Sequence, residues 1–358
     1  MKKVQAWLIN FLAQVSIASS LLFIPLFAKE LGASDIEIGL ITSFYSLAIL
    51  TSSGIFGRLS DIYSKKLFLT LGLLLSSFSF FAQCFARDPV QLLVIRTLVG
   101  FSIGIFPAAL TAYAYKQNRK IGHFTSFGSL GWAIGQLFAG IIAVYCGIFI
   151  FGALLFLLSF FMVIREEIPD ERIPRSRSTF KIIRENLSVY FAFFIRHTGA
   201  SAVWLIFPLY LFQLGISKFW IGAIYFANSF LQFLLMPRMD RFNPYLLLNL
   251  GAAFSGLTFI FYSLATEIYQ FLAIQILIAF GWSAMYVGAL RIALEKNIEK
   301  SSVVGFLNST IYLSTIIGSI IGGFIAENFG YSFCFLFGAL LSFLVPFFRV
   351  RNGAIKSF

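Results

Sequence analysis

Three basic side chains lie inside long apolar stretches of the sequence, where a charge is costly and usually serves a function. They are Arg96 in one stretch and the neighbours Arg196 and His197 in another. All fifteen acidic residues fall in polar segments or near the ends of apolar stretches, so no carboxylate neutralises these cations. They could bind an anionic or strongly hydrogen-bonding solute, and His197 could carry a proton, because imidazole titrates near neutral pH. Alternatively, the arginines bond backbone carbonyls of neighbouring helices and His197 is a packing residue.

Neutral polar and aromatic residues recur at helical spacing around these cations. Asn10 and Gln14 lie one turn apart. Ser201 and Trp204 follow His197 by four and seven residues, on one helix face. A ring that stacks on a solute beside groups that hydrogen-bond it suits a polar organic molecule. Since adjacent helical residues point about 100° apart, only one of the two consecutive cations can face that molecule squarely. The candidate binding residues are Asn10, Gln14, Arg96, Trp132, Arg196, His197, Ser201, Trp204 and Gln275.

The sequence pattern offers nothing for covalent, metal or nucleotide chemistry. No apolar stretch carries a nucleophile beside a base, paired acids or a cluster of metal ligands, and no phosphate-binding glycine loop is present. We therefore expect no enzyme activity, no cofactor and no metal. Cys84, Cys146 and Cys334 lie far apart without C-x-x-C spacing, so we predict small packing residues and no disulfide framework.

Membrane-spanning helices must position these residues. Apolar residues make up 59% of the 358-residue chain, charged residues only 12%, and the mean hydropathy is +0.88, which excludes a water-soluble domain. About 20 helical residues cross a bilayer core, and the first apolar run, 6–27, is too long for a signal peptide. Charge-free runs of spanning length predict an all-α integral membrane protein with twelve transmembrane helices, at about 6–28, 36–56, 67–86, 90–115, 122–145, 147–164, 187–212, 219–237, 244–265, 268–290, 302–326 and 331–348.

Lysine and arginine divide unequally between the two sides of the predicted helices. Of the 27, 22 fall in the N-terminus, the even-numbered loops and the C-terminal tail, whereas the odd-numbered loops hold only Lys29, Arg87 and Lys218. Cytoplasmic loops carry the excess of these residues, so we predict a multi-pass protein of the cell membrane with both termini in the cytoplasm. The net charge of +12 then results from topology. Nucleic-acid binding explains it poorly, because the basic residues are spread over separate loops.

The second half of the chain repeats the first at an offset of 183 residues. Residues 25–39 and 208–222 agree at seven of fifteen positions, including one proline and two glycines. A six-helix unit repeated in one orientation predicts two bundles related by an axis along the membrane normal, which can rock about a midplane site. We place the bundles at 1–165 and 187–358, joined by a cytoplasmic loop at 166–186.

The loop after the second predicted helix resembles a signature of the major facilitator superfamily. Residues 57–66 read G-R-L-S-D-I-Y-S-K-K, similar to G-x-x-x-D-R-x-G-[RK]-[RK] with two departures, and 237–241 is a decayed copy. The resemblance implies that Gly57 lets helix 2 pack against helix 11. It also implies that the Asp61 carboxylate meets the start of helix 11, whose dipole favours an anion. The alternative is a solvated turn whose lysines obey the charge rule. The gating residues that the resemblance implies are Gly57, Asp61, Lys65, Lys66, Asp240 and Arg241.

The same resemblance implies a central path lined by helices 1, 4, 7 and 10. The repeat pairs Gln14 with His197 and, at an offset of 179, Arg96 with Gln275, so polar side chains stand at related positions on those helices. In helix 5, the run G-S-L-G-W-A around Trp132 looks like that of lactose-permease-type transporters, where the tryptophan stacks on a sugar ring. It lacks the proline that antiporters carry. The alternative for its glycines is close helix packing.

These observations predict a secondary active or facilitative transporter that moves a small polar or anionic organic metabolite by alternating access. Export of lipophilic compounds is the alternative, favoured by the aromatic content of 18%. A transport-inactive sensor or scaffold on the same fold is a third possibility. The expected partners are the solute, the lipid bilayer and, where transport is coupled, a proton on His197; we expect a monomer.

Overall fold

The computed structural model describes residues 6–62, 64–117, 121–165, 179–239, 241–296 and 300–347. Every regular element in these ranges is helical. The α-helices are α1 (Ala6–Leu22), α2 (Ile24–Glu30), α3 (Asp35–Ile62), α4 (Lys65–Ala82), α5 (Pro89–Ile105), α6 (Pro107–Gln117), α7 (Ile121–Ile142), α8 (Tyr145–Ile164), α9 (Thr179–Gln213), α10 (Lys218–Met239), α11 (Pro244–Leu264), α12 (Ile268–Lys296), α13 (Lys300–Phe329) and α14 (Tyr331–Leu344). Short 3-10 turns follow α4 and α14, at Gln83–Phe85 and Val345–Phe347.

Within the described ranges, these helices make twelve crossings, as the sequence predicts. The pair α1 and α2 forms the first crossing, the pair α5 and α6 forms the fourth, and every other helix is one crossing. Ten crossings are long and apolar enough to span a bilayer, and two shorter apolar helices, Ser126–Ile142 and Tyr331–Leu344, complete the twelve. The chain is therefore a multi-pass membrane protein. We call the side at which α1 begins the inner side and the opposite side the outer side.

Prolines explain why two crossings are divided. Phe23 interrupts the first crossing, and Pro25 then occupies the first turn of α2. Phe106 interrupts the fourth in the same way, and Pro107 begins α6. Proline suits the first turn of a helix because its missing N–H has no intrahelical partner there. Each interrupted crossing is still one span, Ala6–Glu30 and Pro89–Thr111, so the breaks do not change the topology.

The helices pack as two bundles, α1–α8 and α9–α14, which we call the first and second halves. Within the first half, α1 packs on α7, α3 on α5, and α4 on α8; within the second, α9 packs on α13 and α11 on α12 and α14. Two extensive contacts join the halves, α3 with α13 and α7 with α10. The repeat relates these two interfaces, because α10 corresponds to α3 and α13 to α7.

The segment between the halves is only partly described. The predicted loop, 166–186, includes residues 166–178, which lie outside the described ranges. From Thr179 onward, α9 runs without interruption to Gln213, so the last part of the predicted loop, 179–186, is the beginning of the helix that makes the seventh crossing. The residue boundaries of the two bundles stay a prediction.

The prediction that all three cysteines are packing residues is wrong for two of them. Cys84 and Cys146 form a disulfide with their Cα atoms 4.8 Å apart, while Cys334 is free and buried. Cys84 lies at the outer end of the third crossing and Cys146 at the outer start of α8. The two positions are 62 residues apart in sequence and meet only because α4 packs against α8.

Candidate functional site

The outer ends of α3 and α13 are in close contact across the two halves. A Cβ on Gly39 would collide with the backbone oxygen of Ser319, so this position needs glycine. One turn further inward, the Ser43 hydroxyl donates a 2.9 Å hydrogen bond to the carbonyl of Ile316. Backbone contact of this kind, helped by small residues, is how membrane helices associate tightly.

The second interface, between α7 and α10, is closed on the outer side in the same way. A Cβ on Gly222 would lie 2.8 Å from the Cα of Gly140. Further inward, the Ser229 hydroxyl donates a 2.7 Å hydrogen bond to Oε1 of Gln136. Both interfaces therefore seal the outer half of the path between the bundles.

Charged groups reinforce this closure at the outer rim. Lys218 of the second half lies 3.4 Å from the Glu30 carboxylate of the first and 3.8 Å from the ring centroid of Tyr145, which also bonds Glu30. The Glu327 carboxylate, at the end of α13, accepts a 3.0 Å bond from the backbone N–H of Ile36. A carboxylate at the first turn of α3 is favoured by the helix dipole. We call Glu30, Tyr145, Lys218 and Glu327 the outer latch.

Toward the inner side, α3 and α13 are not in contact at two described glycine positions. Gly54 and Gly305 each lie eleven residues further inward than the bonded pair Ser43 and Ile316, so antiparallel packing would bring them together. A Cβ added to either glycine would meet nothing within 4 Å. The two helices are therefore apart at the level of these glycines, which indicates an opening between the halves on the inner side.

Three predicted site residues of the first half form one hydrogen-bonded group. The Trp132 indole N–H donates to Oε1 of Gln14 at 2.7 Å, and Gln14 reaches Oδ1 of Asn10 at 3.5 Å. Trp132 and Gln14 are half-buried. The glycines of the G-S-L-G-W-A run serve packing, because a Cβ on Gly131 would lie 2.9 Å from Cβ of Gln14. Because the glycines on this face of α7 have no side chains, α7 packs closely on α1 and Trp132 reaches Gln14.

Arg96 is buried among other residues of the first half. Its side chain is only 2% exposed. Nη1 donates a 3.1 Å hydrogen bond to Oε1 of Gln83, which also accepts one from Ser20, and Cζ lies 4.0 Å above the Tyr45 ring. The guanidinium thus bonds a side-chain amide of its own bundle and not the backbone carbonyls that the structural alternative predicts, and its Nε has no hydrogen-bond partner among the described residues. Gln275, its repeat-related counterpart, is likewise buried and donates to Tyr262.

The two consecutive cations of α9 face different ways, as their helical spacing requires. Arg196 is fully buried and donates from Nε and Nη2 to Ser255 at 3.1 and 2.7 Å. His197 packs between Phe193 and Trp282, with ring centroids 5.7 and 5.4 Å away. Within the described part of the chain, Nη1 of Arg196 and Nδ1 of His197 have no hydrogen-bond partner.

The other two predicted residues of α9 lie further toward the sealed side. Ser201 contacts Thr315 of α13 at 3.4 Å. Trp204 packs against Phe207 and Tyr225, with ring centroids 5.8 Å away in both cases. The structure thus separates Trp204 from Trp132, since it belongs to an aromatic cluster of the second half.

Sequence reasoning missed an aromatic group that spans the two halves. Trp282 stacks on Tyr286 at 5.5 Å, and both are half-buried. Tyr312 of α13 packs against the core of the first half and lies close enough to Tyr45 and Tyr286 for electrostatic interaction. The available signal was spacing, because Trp282 and Tyr286 follow the predicted Gln275 by seven and eleven residues on one face of α12.

The predicted inner gate is described only in part. Lys65 is buried, Lys66 half-buried and Arg241 exposed. Asp240, the side chain of Asp61 and the surroundings of Gly57 lie outside the described residues. The contact expected between Asp61 and the start of α13 stays a prediction.

The family model and the relatives that match this chain agree on one protein family. The model of the Major Facilitator Superfamily matches residues 6–217 and 189–356. An uncharacterized MFS-type transporter of Methanocaldococcus jannaschii is 26% identical over 95% of both chains. The multi-drug resistance efflux pump PmrA of Streptococcus pneumoniae is 24% identical over 95% of this chain and 94% of its own. The multidrug resistance protein MdtG of Proteus mirabilis is 25% identical over 94% and 92%.

Solved structures agree with the architecture. The crystal structure of the nucleoside transporter NupG superposes with a TM-score of 0.81, covering 98% of this chain and 100% of that one. The two sequences are 13% identical, so the likeness is one of fold.

Proposed function

Because this chain belongs to the Major Facilitator Superfamily and is a transporter of that fold, we propose that it exports amphipathic, aromatic organic compounds by alternating access. The inner side would be the cytoplasm, in agreement with the lysine and arginine excess. The protein would act as a monomer in the cell membrane. In this scheme the described conformation is the one that accepts solute from the cytoplasm.

One observation carries the proposal: five half-buried side chains of the described residues on α1, α7, α12 and α13 are aromatic or neutral. The first half contributes Trp132 with Gln14, and the second contributes Trp282, Tyr286 and Tyr312. Such a surface binds planar, partly apolar molecules by stacking and by a few hydrogen bonds. Both buried arginines already bond inside their bundles, to Gln83 and to Ser255, so this proposal gives them no direct contact with the solute.

The relatives support the same choice. PmrA and MdtG carry multidrug resistance or efflux in their names and match nearly the full length of this chain. Their identities of 24% and 25% support a shared type of solute and do not specify one.

A polar or anionic metabolite is the second candidate. It rests on the hydrogen-bonding capacity that Nη1 of Arg196 and Nδ1 of His197 leave unused among the described residues. A small rearrangement of Trp282 would expose both groups to a solute, because its ring contacts His197 and lies 5.5 Å from Cζ of Arg196. In this version His197 would also be the residue that carries a coupling proton.

Flux through proteoliposomes distinguishes the candidates. The purified protein would be tested with planar aromatic dyes and, separately, with small organic acids and sugars. We expect the dyes to be transported and to compete with one another. We expect Trp282→Ala to reduce the rate at which they are transported. Transport of acids but not dyes, abolished by His197→Gln, would establish the second candidate. Binding without any flux would indicate a sensor or scaffold.

A further inference from the structure

A cleft opens between the two halves on the inner side, where α7 and α10 separate. These helices touch at Gly140 and Gly222 and are bonded again at Gln136 and Ser229; further inward, residues of both helices line a space. The resulting space is about 520 Å³. Its lining consists of Ser126 of α7 and, from the second half, Phe233, Leu234, Pro237, Arg238 and Arg241. We call this space the α7–α10 cleft.

The cleft has an apolar wall and a positively charged end. Leu234 and Arg238 lie one helical turn apart on α10, and Arg241 follows three residues later, in the turn just beyond the end of α10. The Arg238 guanidinium bonds the carbonyl of Leu234, which holds it along the wall, and both arginines are exposed. No acidic residue belongs to the described lining, and Asp240 lies outside the described residues.

This order of groups matches the depth profile of a lipid leaflet. Because α10 ends at Met239 on the inner side, the two guanidinium groups lie at the level of the lipid phosphates. Phe233 is five residues further along the helix, which is roughly 8 Å deeper, in the region of the acyl chains. A soluble anion would contact the two arginines only, and the apolar wall would remain exposed to water.

We propose that an anionic phospholipid of the inner leaflet binds in the α7–α10 cleft. Its phosphate and charged head group contact Arg238 and Arg241, and one acyl chain lies along Phe233 and Leu234. Two positive charges select an anionic head group over a zwitterionic one. This inference rests on the inward-open geometry and does not depend on which solute is carried.

Such a lipid would favour the inward-open conformation. When α7 and α10 close on the inner side, the space that the lipid occupies disappears, so the lipid binds the open state better. A ligand that prefers one of two states shifts the population toward it. The composition of the inner leaflet would therefore set the fraction of carriers that is ready to accept solute.

Two measurements on the full-length protein test the proposal. Native mass spectrometry would compare retention of phosphatidylglycerol and phosphatidylcholine. Spin labels at Leu67→Cys and Leu246→Cys, exposed positions at the inner ends of α4 and α11, would report the width of the inner opening in nanodiscs of either lipid. We expect at least about tenfold preference for phosphatidylglycerol and a longer label distance with it. Arg238→Gln with Arg241→Gln should remove both effects.

The matched control removes the same charge elsewhere on the inner side. Arg165→Gln with Arg184→Gln changes two exposed arginines that do not line the cleft, so the lipid preference should persist. Equal losses in both double variants would mean that only general surface charge attracts the lipid. Displacement by soluble glycerol phosphate would mean that the cleft is an anion site. Either result, or equal retention of the two lipids, overturns the proposal.

Discussion

Arg96 donates a 3.1 Å hydrogen bond from Nη1 to Oε1 of Gln83, thirteen residues earlier in the chain. In the second half, Gln275 donates from Nε2 to the Tyr262 hydroxyl at 2.8 Å, again thirteen residues earlier. The offset of 179 that pairs Arg96 with Gln275 also pairs Gln83 with Tyr262. Both halves therefore have a buried side-chain hydrogen bond between consecutive crossings. The residue types of both partners differ between the two halves.

The first prediction follows from this relationship. Arg96→Gln should insert normally and transport at close to the wild-type rate, because glutamine already makes the equivalent link in the second half. Loss of the charged donor should cost about 1–2 kcal/mol of stability, seen as a lower melting temperature. Transport and melting of the purified variant would be measured together. A variant that melts normally but does not transport would assign Arg96 to the solute and favour the anionic candidate.

Trp132 should act through its ring and its N–H separately. Trp132→Ala removes the aromatic surface and the bond to Gln14, so transport should fall at least tenfold, equivalent to about 1.4 kcal/mol. Trp132→Phe keeps a ring and loses only the hydrogen bond, which costs about 1 kcal/mol. Trp220→Ala is the control, because this tryptophan is 42% exposed at the outer end of α10. Normal transport by the alanine variant would show that Trp132 only packs.

The twelve crossings could be predicted because each depends on the length of one apolar run. The Asn10–Gln14–Trp132 group could also be predicted in part, since helical spacing relates the first two residues and the G-x-x-G-W pattern indicates close packing of α7. The orientation of the Arg96 side chain could not be predicted from the sequence. Hydropathy shows that a residue lies in a span but not whether it faces a neighbouring helix or the path.

Other features needed the fold itself. Trp282 and Tyr286 carry a spacing signal, but in a chain with 46 phenylalanines an aromatic pair does not stand out. Cys84 and Cys146 become neighbours only when α4 packs on α8. The opening on the inner side results from the relative position of the two halves, which the length and spacing of apolar runs do not specify.

The outer latch should contribute modestly to closure of the outer side. Glu30 and Lys218 are 52% and 20% exposed, so water screens their attraction and the pair contributes roughly 0.2–1 kcal/mol. Glu30→Gln should increase labelling of an outer-path cysteine by a factor of about two to five at low salt. The exchange Glu30→Lys with Lys218→Glu should restore the wild-type pattern. Glu295→Gln, which breaks a pair on the inner side, should leave outer labelling unchanged.

The disulfide should be present in protein purified without reductant. Peptide mapping should find Cys84 linked to Cys146, while Cys334 reacts with an alkylating reagent only after unfolding. Cys84→Ser should lower the stability by about 2–4 kcal/mol, whereas Cys334→Ser should have a smaller effect. Disulfides persist in oxidising compartments, so this result would also place the outer side outside the cytoplasm. Free thiols at both positions in the folded protein would contradict the pairing.

Two glycine substitutions in α3 should stop transport in opposite conformations. Gly39→Val puts side-chain atoms into the backbone of Ser319, so the outer side cannot close and the carrier should stay open outward. Gly54→Val meets nothing in the inward-open state, but its side chain would stand between α3 and Gly305 when the inner side closes. That variant should stay open inward. Labelling of single cysteines on each side of the path would distinguish the two. We expect transport to be lost in both, with outer labelling raised only by Gly39→Val and inner labelling raised only by Gly54→Val. The same labelling pattern in the two variants would show that α3 and α13 do not open and close at alternate ends.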